Sequence, residues 1–220
     1  MTAAPRIDSY EWSGGREAML RWGPEGGPVV VIALPLFEEA NRTRAFAASI
    51  CRALAGWSIG SVLPELPGQG ESQRSTATVR LAQLRAAFAA VPGDVAVAIR
   101  SGALVIDDRP CWLLSPQTAG ELTRELARIR GDLIEEEPAM IAGNRIDPAL
   151  LDGLVTATHP GAGRGGSGAS RTVRLTSDVR AADRHVDGPA LWRRAEPDDN
   201  PALAQTLAAD IADWIRACGG

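Results

Sequence analysis

Short runs of β-branched and apolar residues alternate along this chain with segments whose apolar residues recur at helical spacing. Val29–Leu34 and Val95–Ile99 are apolar throughout, which is typical of strands buried on both faces of a sheet. Strands that alternate with helices build a mostly parallel sheet covered on both faces, so the pattern predicts an α/β fold. The other predicted strands are Arg16–Trp22 at the sheet edge, Ser58–Leu63, Cys111–Leu114, Arg171–Thr176 and Val186–Trp192.

The helices are placed by their start and stop signals as well as by periodicity. A first helix is predicted to begin at Asn41, a good N-cap residue, and to end at Gly56. The segments Thr78–Ala90 and Ala119–Arg130 each present one apolar face, and a last helix begins at Asn200. Residues 132–154 show no clear period, and residues 161–170 have the composition of a flexible linker.

Composition removes several classes of function. All 23 basic residues are arginine, so a Walker A phosphate loop, a Schiff-base lysine and a lysine general base are excluded. A net charge of −4 argues against nucleic-acid binding. The three cysteines are far apart, so neither a disulfide framework nor a zinc site is predicted, and no metal or cofactor is expected.

The longest apolar run, Val29–Phe37, is far shorter than the roughly 20 residues of a membrane helix, and the N-terminus has no signal-peptide pattern. We therefore expect no transmembrane segment and a cytoplasmic location.

Gly161, Gly163 and Gly166 form a literal GxGxxG motif. A dinucleotide site needs a strand before this motif and a helix after it, whereas here the strand-like residues RTVRL follow. The linker interpretation is therefore favoured over cofactor binding.

The turn after the strand Val95–Ile99 has the spacing of a nucleophile elbow, which needs small residues two positions before and two after its tip. Centring on Arg100 gives Ala98 and Gly102, which fit, whereas centring on Ser101 gives an isoleucine and an alanine. Arginine stays protonated and cannot be a nucleophile. Ser101 is then either a helix cap, which is favoured, or a displaced nucleophile.

A second candidate segment, LPLFEEANRTR, leaves a predicted buried strand and enters a helix. In α/β-hydrolases this loop supplies a backbone N–H to the oxyanion hole. Glu38 and Glu39 suit the positive end of the helix dipole, or a cation that faces them. With Asn41 and Arg44 they are candidates for a polar pocket.

Four segments of the chain carry a family resemblance: LPLFEEANRTR, LPELPGQGES, AIRSGALV and ALWRRAEPDDNPALAQTLAADIADWI. They resemble the exosortase A system-associated hydrolases, an α/β-hydrolase family of bacterial exopolysaccharide and PEP-CTERM sorting clusters, and the similarity runs from about Val29 to Ile215. The resemblance implies one α/β-hydrolase-like domain over residues 1–220, in which residues 131–171 form a reduced cap and a glycine-rich linker.

Carried over position by position, the resemblance places Arg100 where the nucleophile belongs. The acid after the penultimate strand is Asp178, and the stretch expected to hold the histidine, Arg193–Pro197, contains Glu196 instead. Of the two histidines, His159 precedes the linker and His185 precedes the predicted last strand. A triad in the usual order is therefore written as Ser101, Asp178 and His185, with the backbone N–H groups of Phe37 and Ser101 as oxyanion donors.

Two functions remain open. The first is a serine-type, esterase-like hydrolase of an exopolysaccharide or exosortase system, acting on an ester- or acyl-bearing precursor that is a small molecule or lipid-linked. The second is a non-catalytic binding module in which Arg100 holds an anionic group or pairs with a carboxylate. Because a buried arginine needs a partner, we predict an ion pair between Arg100 and Glu38, Glu39 or Glu196, with one of the first two favoured.

Overall fold

In the computed structural model, residues 4–130, 139–141, 144–158 and 169–218 are described. Within these residues, an eight-stranded sheet forms the centre, and five helices and a separate β-hairpin surround it. The strands are β1 (Arg6–Trp12), β2 (Gly15–Trp22), β3 (Val29–Ala33), β4 (Gly60–Pro64), β5 (Val95–Ile99), β6 (Cys111–Leu114), β7 (Ala139–Ile141), β8 (Asn144–Ile146), β9 (Ser170–Leu175) and β10 (Arg184–Val186). The helices are α1 (Glu38–Gly56), α2 (Leu81–Ala90), α3 (Ala119–Arg130), α4 (Pro148–Val155) and α5 (Pro201–Cys218).

The strand order in the main sheet is β1-β2-β4-β3-β5-β6-β9-β10. The strands β1 and β2 are antiparallel, β2 is antiparallel to β4, and all pairs from β4 to β10 are parallel. The chain passes from β3 to β4 on one side and then returns to β5 on the other side of β3. The carboxyl ends of β3 and β5 therefore flank a topological switch point, where open α/β sheets bind ligands.

Residues of the central strands alternate between two cores. Val30 and Ile32 of β3 face the core that contains α1 and α5, whereas Val31 and Ala33 face the core that contains α2 and α3. The predicted mostly parallel sheet with helices on both faces is confirmed.

A charge cluster around the buried Asp210 joins α5 to the sheet. Asp210 accepts hydrogen bonds from Trp112 Nε1 at 2.8 Å, from Arg171 at 2.8 and 2.9 Å, and from Arg184 at 2.6 Å. Burial alone would raise the pKa of Asp210, but these bonds outweigh it and lower the pKa to about 2.

The sheet edge and the last strand differ from the prediction. Strand β1, in which only Tyr10 and Trp12 are buried, was not predicted, and it pairs outside β2, so the predicted edge strand Arg16–Trp22 is not at the edge. The predicted strand Val186–Trp192 is wrong beyond Val186. Gly188 adopts a φ of 158° and Pro189 follows it, so a short 3₁₀ helix replaces the expected strand.

The first helix begins at Glu38 rather than at Asn41. Phe37 occupies the N-cap position with a φ of 61°, so the chain turns into the helix at the end of the short loop 34–37 that follows β3.

The segment between α3 and β9 holds more structure than its sequence indicated. Strands β7 and β8 form a hairpin, and α4 begins after Asp147, whose side chain accepts a hydrogen bond from Ala149 N. Helix α4 packs against α2 and α3. Residues 161–168 of the predicted linker, with the GxGxxG motif, and His159 lie outside the described residues, whereas Ser170, the last residue of that linker, is the first residue of β9. Within the described part, no helix has the length and apolar character needed to cross a bilayer.

Candidate functional site

A sharp turn follows β5, and Arg100 lies at its tip with a φ of 54°. A Cβ atom at Gly102 would lie 2.5 Å from the carbonyl oxygen of Ala33 and 2.6 Å from that of Leu34. Only glycine permits this approach of the turn to the end of β3. The turn therefore makes the close approach that the elbow spacing predicts, and an arginine stands at its tip.

Ser101 points away from solvent. Its side chain is fully buried, and its Oγ accepts a hydrogen bond from Leu36 N at 2.9 Å. The N-cap of the short helix after β5 is Ile99, without a side-chain cap, so the capping role favoured for Ser101 is wrong. The hydroxyl instead ties the elbow to the loop between β3 and α1.

The backbone of that loop is also engaged. Phe37 N donates to Gln69 Oε1 at 2.8 Å, while the neighbouring Leu36 N is bound by Ser101. Side-chain oxygens of the protein thus bind the N–H groups of Leu36 and Phe37, in the loop that supplies an oxyanion donor in hydrolases. Gln69 was not predicted as a site residue, although it lies within the PGQGES segment that carries part of the family resemblance.

Two carboxylates bind the elbow arginine. Arg100 Nε and Nη2 donate to the Glu39 carboxylate at 3.3 and 3.2 Å. Nη2 also donates to Glu125 Oε2 at 3.3 Å. The predicted ion pair with Glu39 is found. Glu125 was missed, because α3 meets the elbow only through the sheet order and no local spacing signals it. Gln117 Nε2 in turn donates to Glu125 at 2.7 Å.

The ion pair is largely shielded from water. The side chains of Arg100 and Glu39 are 11% and 15% exposed, whereas that of Glu125 is 40% exposed. Burial raises the pKa of Glu39, and the Arg100 charge only partly opposes this effect. The guanidinium carbon of Arg100 lies 5.3 Å from the ring centre of Trp192, a cation–π contact.

The other predicted partners of Arg100 lie elsewhere. Glu38 pairs with Arg42 at 3.6 Å on the surface of α1. Glu196 is exposed and makes no ion pair with any described residue.

Asn41 and Arg44 do not reach the elbow either. Asn41 is exposed in the first turn of α1. Arg44 forms a bidentate ion pair with the buried Glu65, at 2.5 and 2.7 Å, and Glu65 also accepts a hydrogen bond from Glu71 N. Arg44 therefore anchors the loop after β4.

Asp178 follows β9 closely, where the resemblance placed the acid. Its carboxylate is bound by Arg180 at 2.7 and 2.8 Å and by Arg174 at 2.9 Å. Hydrogen bonds from Arg180, together with Arg174, hold the pKa of Asp178 well below its usual range despite partial burial.

His185 lies inside β10, and its Nε2 contacts the main-chain oxygens of Asp178 and Arg180 at 3.0 Å. The side chains of Ser101, Asp178 and His185 thus make no hydrogen bonds with one another. Strand β10 ends at Val186, so the loop after the last strand begins at Asp187. The stretch Arg193–Pro197, in which the histidine was expected, therefore does not follow the last strand directly.

A cleft of about 290 Å³ opens at the carboxyl edge of β5, β6 and β9. We refer to it as the Arg100 cleft. It is lined by Arg100, Ser115, Leu175, Ser177, Asp178, Val179, Arg180, Ala190, Trp192 and Arg193. Among the described residues, no group of three or more His, Cys, Asp and Glu side chains is arranged to hold a metal ion.

Comparison with known proteins shows the fold. No family model and no curated protein matches the chain. The esterase domain of a Rhodothermus marinus protein is 14% identical with a TM-score of 0.66, over 99% of this chain and 100% of that one. Est1E from Butyrivibrio proteoclasticus is 10% identical with a TM-score of 0.61, over 96% of this chain and 98% of that one. An epoxide hydrolase from Vigna radiata is 13% identical with a TM-score of 0.61, over 98% of both chains. The chain has an α/β-hydrolase-like fold.

Proposed function

We propose that this chain binds a ligand on an α/β-hydrolase scaffold and does not cleave it by a serine mechanism. The observation that carries the proposal is Arg100 at the elbow. An arginine side chain cannot lose its proton to act as a nucleophile, and here it is fixed by Glu39 and Glu125. The fold thus presents a charged hydrogen-bond donor where a hydrolase presents a hydroxyl.

Two further features support binding rather than cleavage. The only serine of the elbow, Ser101, is buried and bonded to Leu36 N, and His185, the histidine within the described residues, does not bond to it. The oxyanion loop is bonded by Gln69, so it is closed to a substrate carbonyl unless that side chain moves. The side chains of Ser101, Asp178 and His185 are therefore not joined as the hydrogen-bonded triad that serine hydrolysis uses.

The family resemblance supports the setting of this activity. We place the chain in the cytoplasm as part of a bacterial exopolysaccharide or exosortase system. Its ligand would be an ester- or acyl-bearing precursor, either a small molecule or lipid-linked, held in the Arg100 cleft. The relative Est1E is described with ferulic acid bound, which is consistent with a small ligand on this scaffold.

A serine hydrolase that uses Ser101, Asp178 and His185 is the second candidate. It is favoured by the position of Asp178, which follows β9 as a catalytic acid would. Cleavage would require Ser101 to leave its bond to Leu36 and His185 to turn from the main chain.

Ester turnover separates the two candidates. Purified protein is incubated with a panel of p-nitrophenyl esters from acetate to octanoate, and p-nitrophenolate release is measured with and without a sulfonyl fluoride inhibitor. For a binding protein we expect no inhibitor-sensitive release. An ester that fits should instead raise the melting temperature and be recovered intact. Release that both the inhibitor and Ser101→Ala abolish would overturn the proposal.

A further inference from the structure

A second cavity, of about 350 Å³, is formed by the first turn of α1, the loop after β4 and strand β8. We refer to it as the hairpin cavity; these three elements contribute Asn41, Ser75 and Arg145 to its wall, among others. None of the described residues that line it is an aspartate or a glutamate, and its one large apolar residue, Phe37, is buried. Small-molecule sites are usually lined by mostly apolar side chains, so this lining favours a polar ligand.

Three polar groups of the hairpin cavity are exposed and have hydrogen-bonding capacity left. The side chains of Asn41 and Arg145 bond to no described residue. The Ser75 hydroxyl accepts a hydrogen bond from Ala77 N at 3.3 Å, and its own hydrogen has no acceptor among the described residues. A carboxamide and a hydroxyl each donate and accept, as the hydroxyl groups of a sugar also do. A ligand can reach all three groups and replace the water bound to them.

The charges around the hairpin cavity balance. Three guanidinium groups lie in its wall or against it, those of Arg44, Arg74 and Arg145. Three carboxylates of the same region match them, those of Glu17, Glu65 and Glu71. An ion would add an unmatched charge to this set, and an apolar ligand would remove water from polar groups without replacing its hydrogen bonds. A neutral polar ligand is the class that fits.

The loop after β4 forms one wall of the cavity and is held by its own hydrogen bonds. Ser72 Oγ accepts from Gly68 N at 3.0 Å and from Arg74 N at 3.2 Å. The Ser72 hydroxyl also donates to the buried Glu17 at 3.1 Å. The hydroxyl of Thr76 donates to the carbonyl oxygen of Gly68 at 2.6 Å. Because this wall is already ordered, a ligand need not order it on binding, which favours affinity.

We infer that the hairpin cavity binds a neutral sugar. The carboxamide of Asn41 donates to one sugar hydroxyl and accepts from another, while Ser75 and Arg145 donate to further hydroxyl oxygens. This site is separate from the Arg100 cleft, and the inference does not rest on the proposed function.

The side-chain NH₂ signals of Asn41 provide the assay. Uniformly ¹⁵N-labelled protein is titrated at millimolar concentrations with the methyl glycosides of glucose, galactose, mannose, rhamnose and N-acetylglucosamine, and with hexanediol and glucuronate. The Asn41 signals are assigned with Asn41→Ala. We expect at least one glycoside to shift these signals, with an affinity about tenfold above that of hexanediol. Glucuronate should bind no more tightly than that glycoside, because the site needs no anion.

Two substitutions test the groups that contact the sugar. Asn41→Ala and Arg145→Ala should each weaken glycoside binding about tenfold, with the backbone amide signals of the cavity as the readout in Asn41→Ala. The melting temperature of Asn41→Ala without ligand should not fall, because its side chain has no described partner to lose. Gln73→Ala is the matched control: this exposed amide belongs to the same loop but does not line the cavity, so the variant should bind as the wild type does.

The inference is wrong if none of the five glycosides shifts the Asn41 signals, or if hexanediol or glucuronate binds at least as tightly as the best glycoside. It is also wrong if Asn41→Ala and Gln73→Ala bind alike. Glycosides that shift the indole signal of Trp192, in the Arg100 cleft, and leave Asn41 unchanged would overturn it as well. Inhibitor-sensitive ester turnover bears only on the proposed function, so the two can fail separately.

Discussion

Replacing Arg100 by methionine tests whether the elbow ion pair holds the fold together. Methionine keeps most of the side-chain volume, so the main loss is the charge that faces Glu39. Breaking a buried ion pair by removing one partner costs about 3–5 kcal/mol. We expect about 3 kcal/mol, near the lower limit, because Glu125 is 40% exposed and can turn to water.

The pH dependence of this loss identifies its cause. Burial already raises the pKa of Glu39, and without Arg100 that pKa must rise further. A carboxyl whose pKa is higher in the folded state than in the unfolded state stabilises the fold when it is protonated, and this contribution is lost as the pH rises. The destabilisation by Arg100→Met should therefore be larger at about pH 8 than at about pH 5.

A double-mutant cycle in urea measures the effect. Unfolding free energies of the wild type, Arg100→Met, Glu39→Gln and the double variant are determined at both pH values from intrinsic fluorescence. The double variant should recover most of the stability that Arg100→Met loses, because no stranded carboxylate remains. The reasoning is refuted if Arg100→Met costs less than about 1 kcal/mol, or if its cost is the same at both pH values.

Three further perturbations test other parts of the structure. Asp210→Asn should lower the unfolding free energy at neutral pH by about 3 kcal/mol, because the cluster loses its only carboxylate. In the wild type, the pKa of Asp210 is lowered to about 2, so the unfolding free energy should fall as the pH drops below about 4. The urea midpoint of Asp210→Asn should not show this part of the fall. Gln69→Ala should cost about 1–3 kcal/mol in the same assay, because the N–H of Phe37 loses its acceptor, and it should not produce ester turnover. Gly102→Ala should lower the unfolding free energy by about 1–3 kcal/mol, because its Cβ would clash with the carbonyl oxygen of Ala33. A melting temperature equal to that of the wild type would contradict the close approach of the turn to β3.

Local patterns in the sequence were enough to predict the central strands of the sheet and the sharp turn after β5. The strands β3 and β5 are continuous apolar runs, and the small residues around Arg100 mark a turn that packs against a neighbouring strand. The pairing of Arg100 with Glu39 was also predictable, because the carboxyl ends of adjacent parallel strands meet at one edge of the sheet.

The remaining walls of the site depend on contacts between distant parts of the chain. Glu125 reaches Arg100 because β6 lies beside β5, and Trp192 reaches it because the chain leaves the sheet after Val186. Gly188 and Pro189 are residues that end a strand, but the apolar residues after them led to the prediction of a longer strand. Those apolar residues form a 3₁₀ helix instead. That error also misplaced the end of β10, and with it the position expected for the histidine.

Intact-mass spectrometry after treatment with a fluorophosphonate probe tests the central claim most directly. These probes react with serines that a base activates. Because Arg100 occupies the elbow and Ser101 is buried against Leu36, the folded protein should show no covalent adduct, even after prolonged incubation. A stoichiometric adduct that peptide mapping assigns to Ser101 would contradict the account.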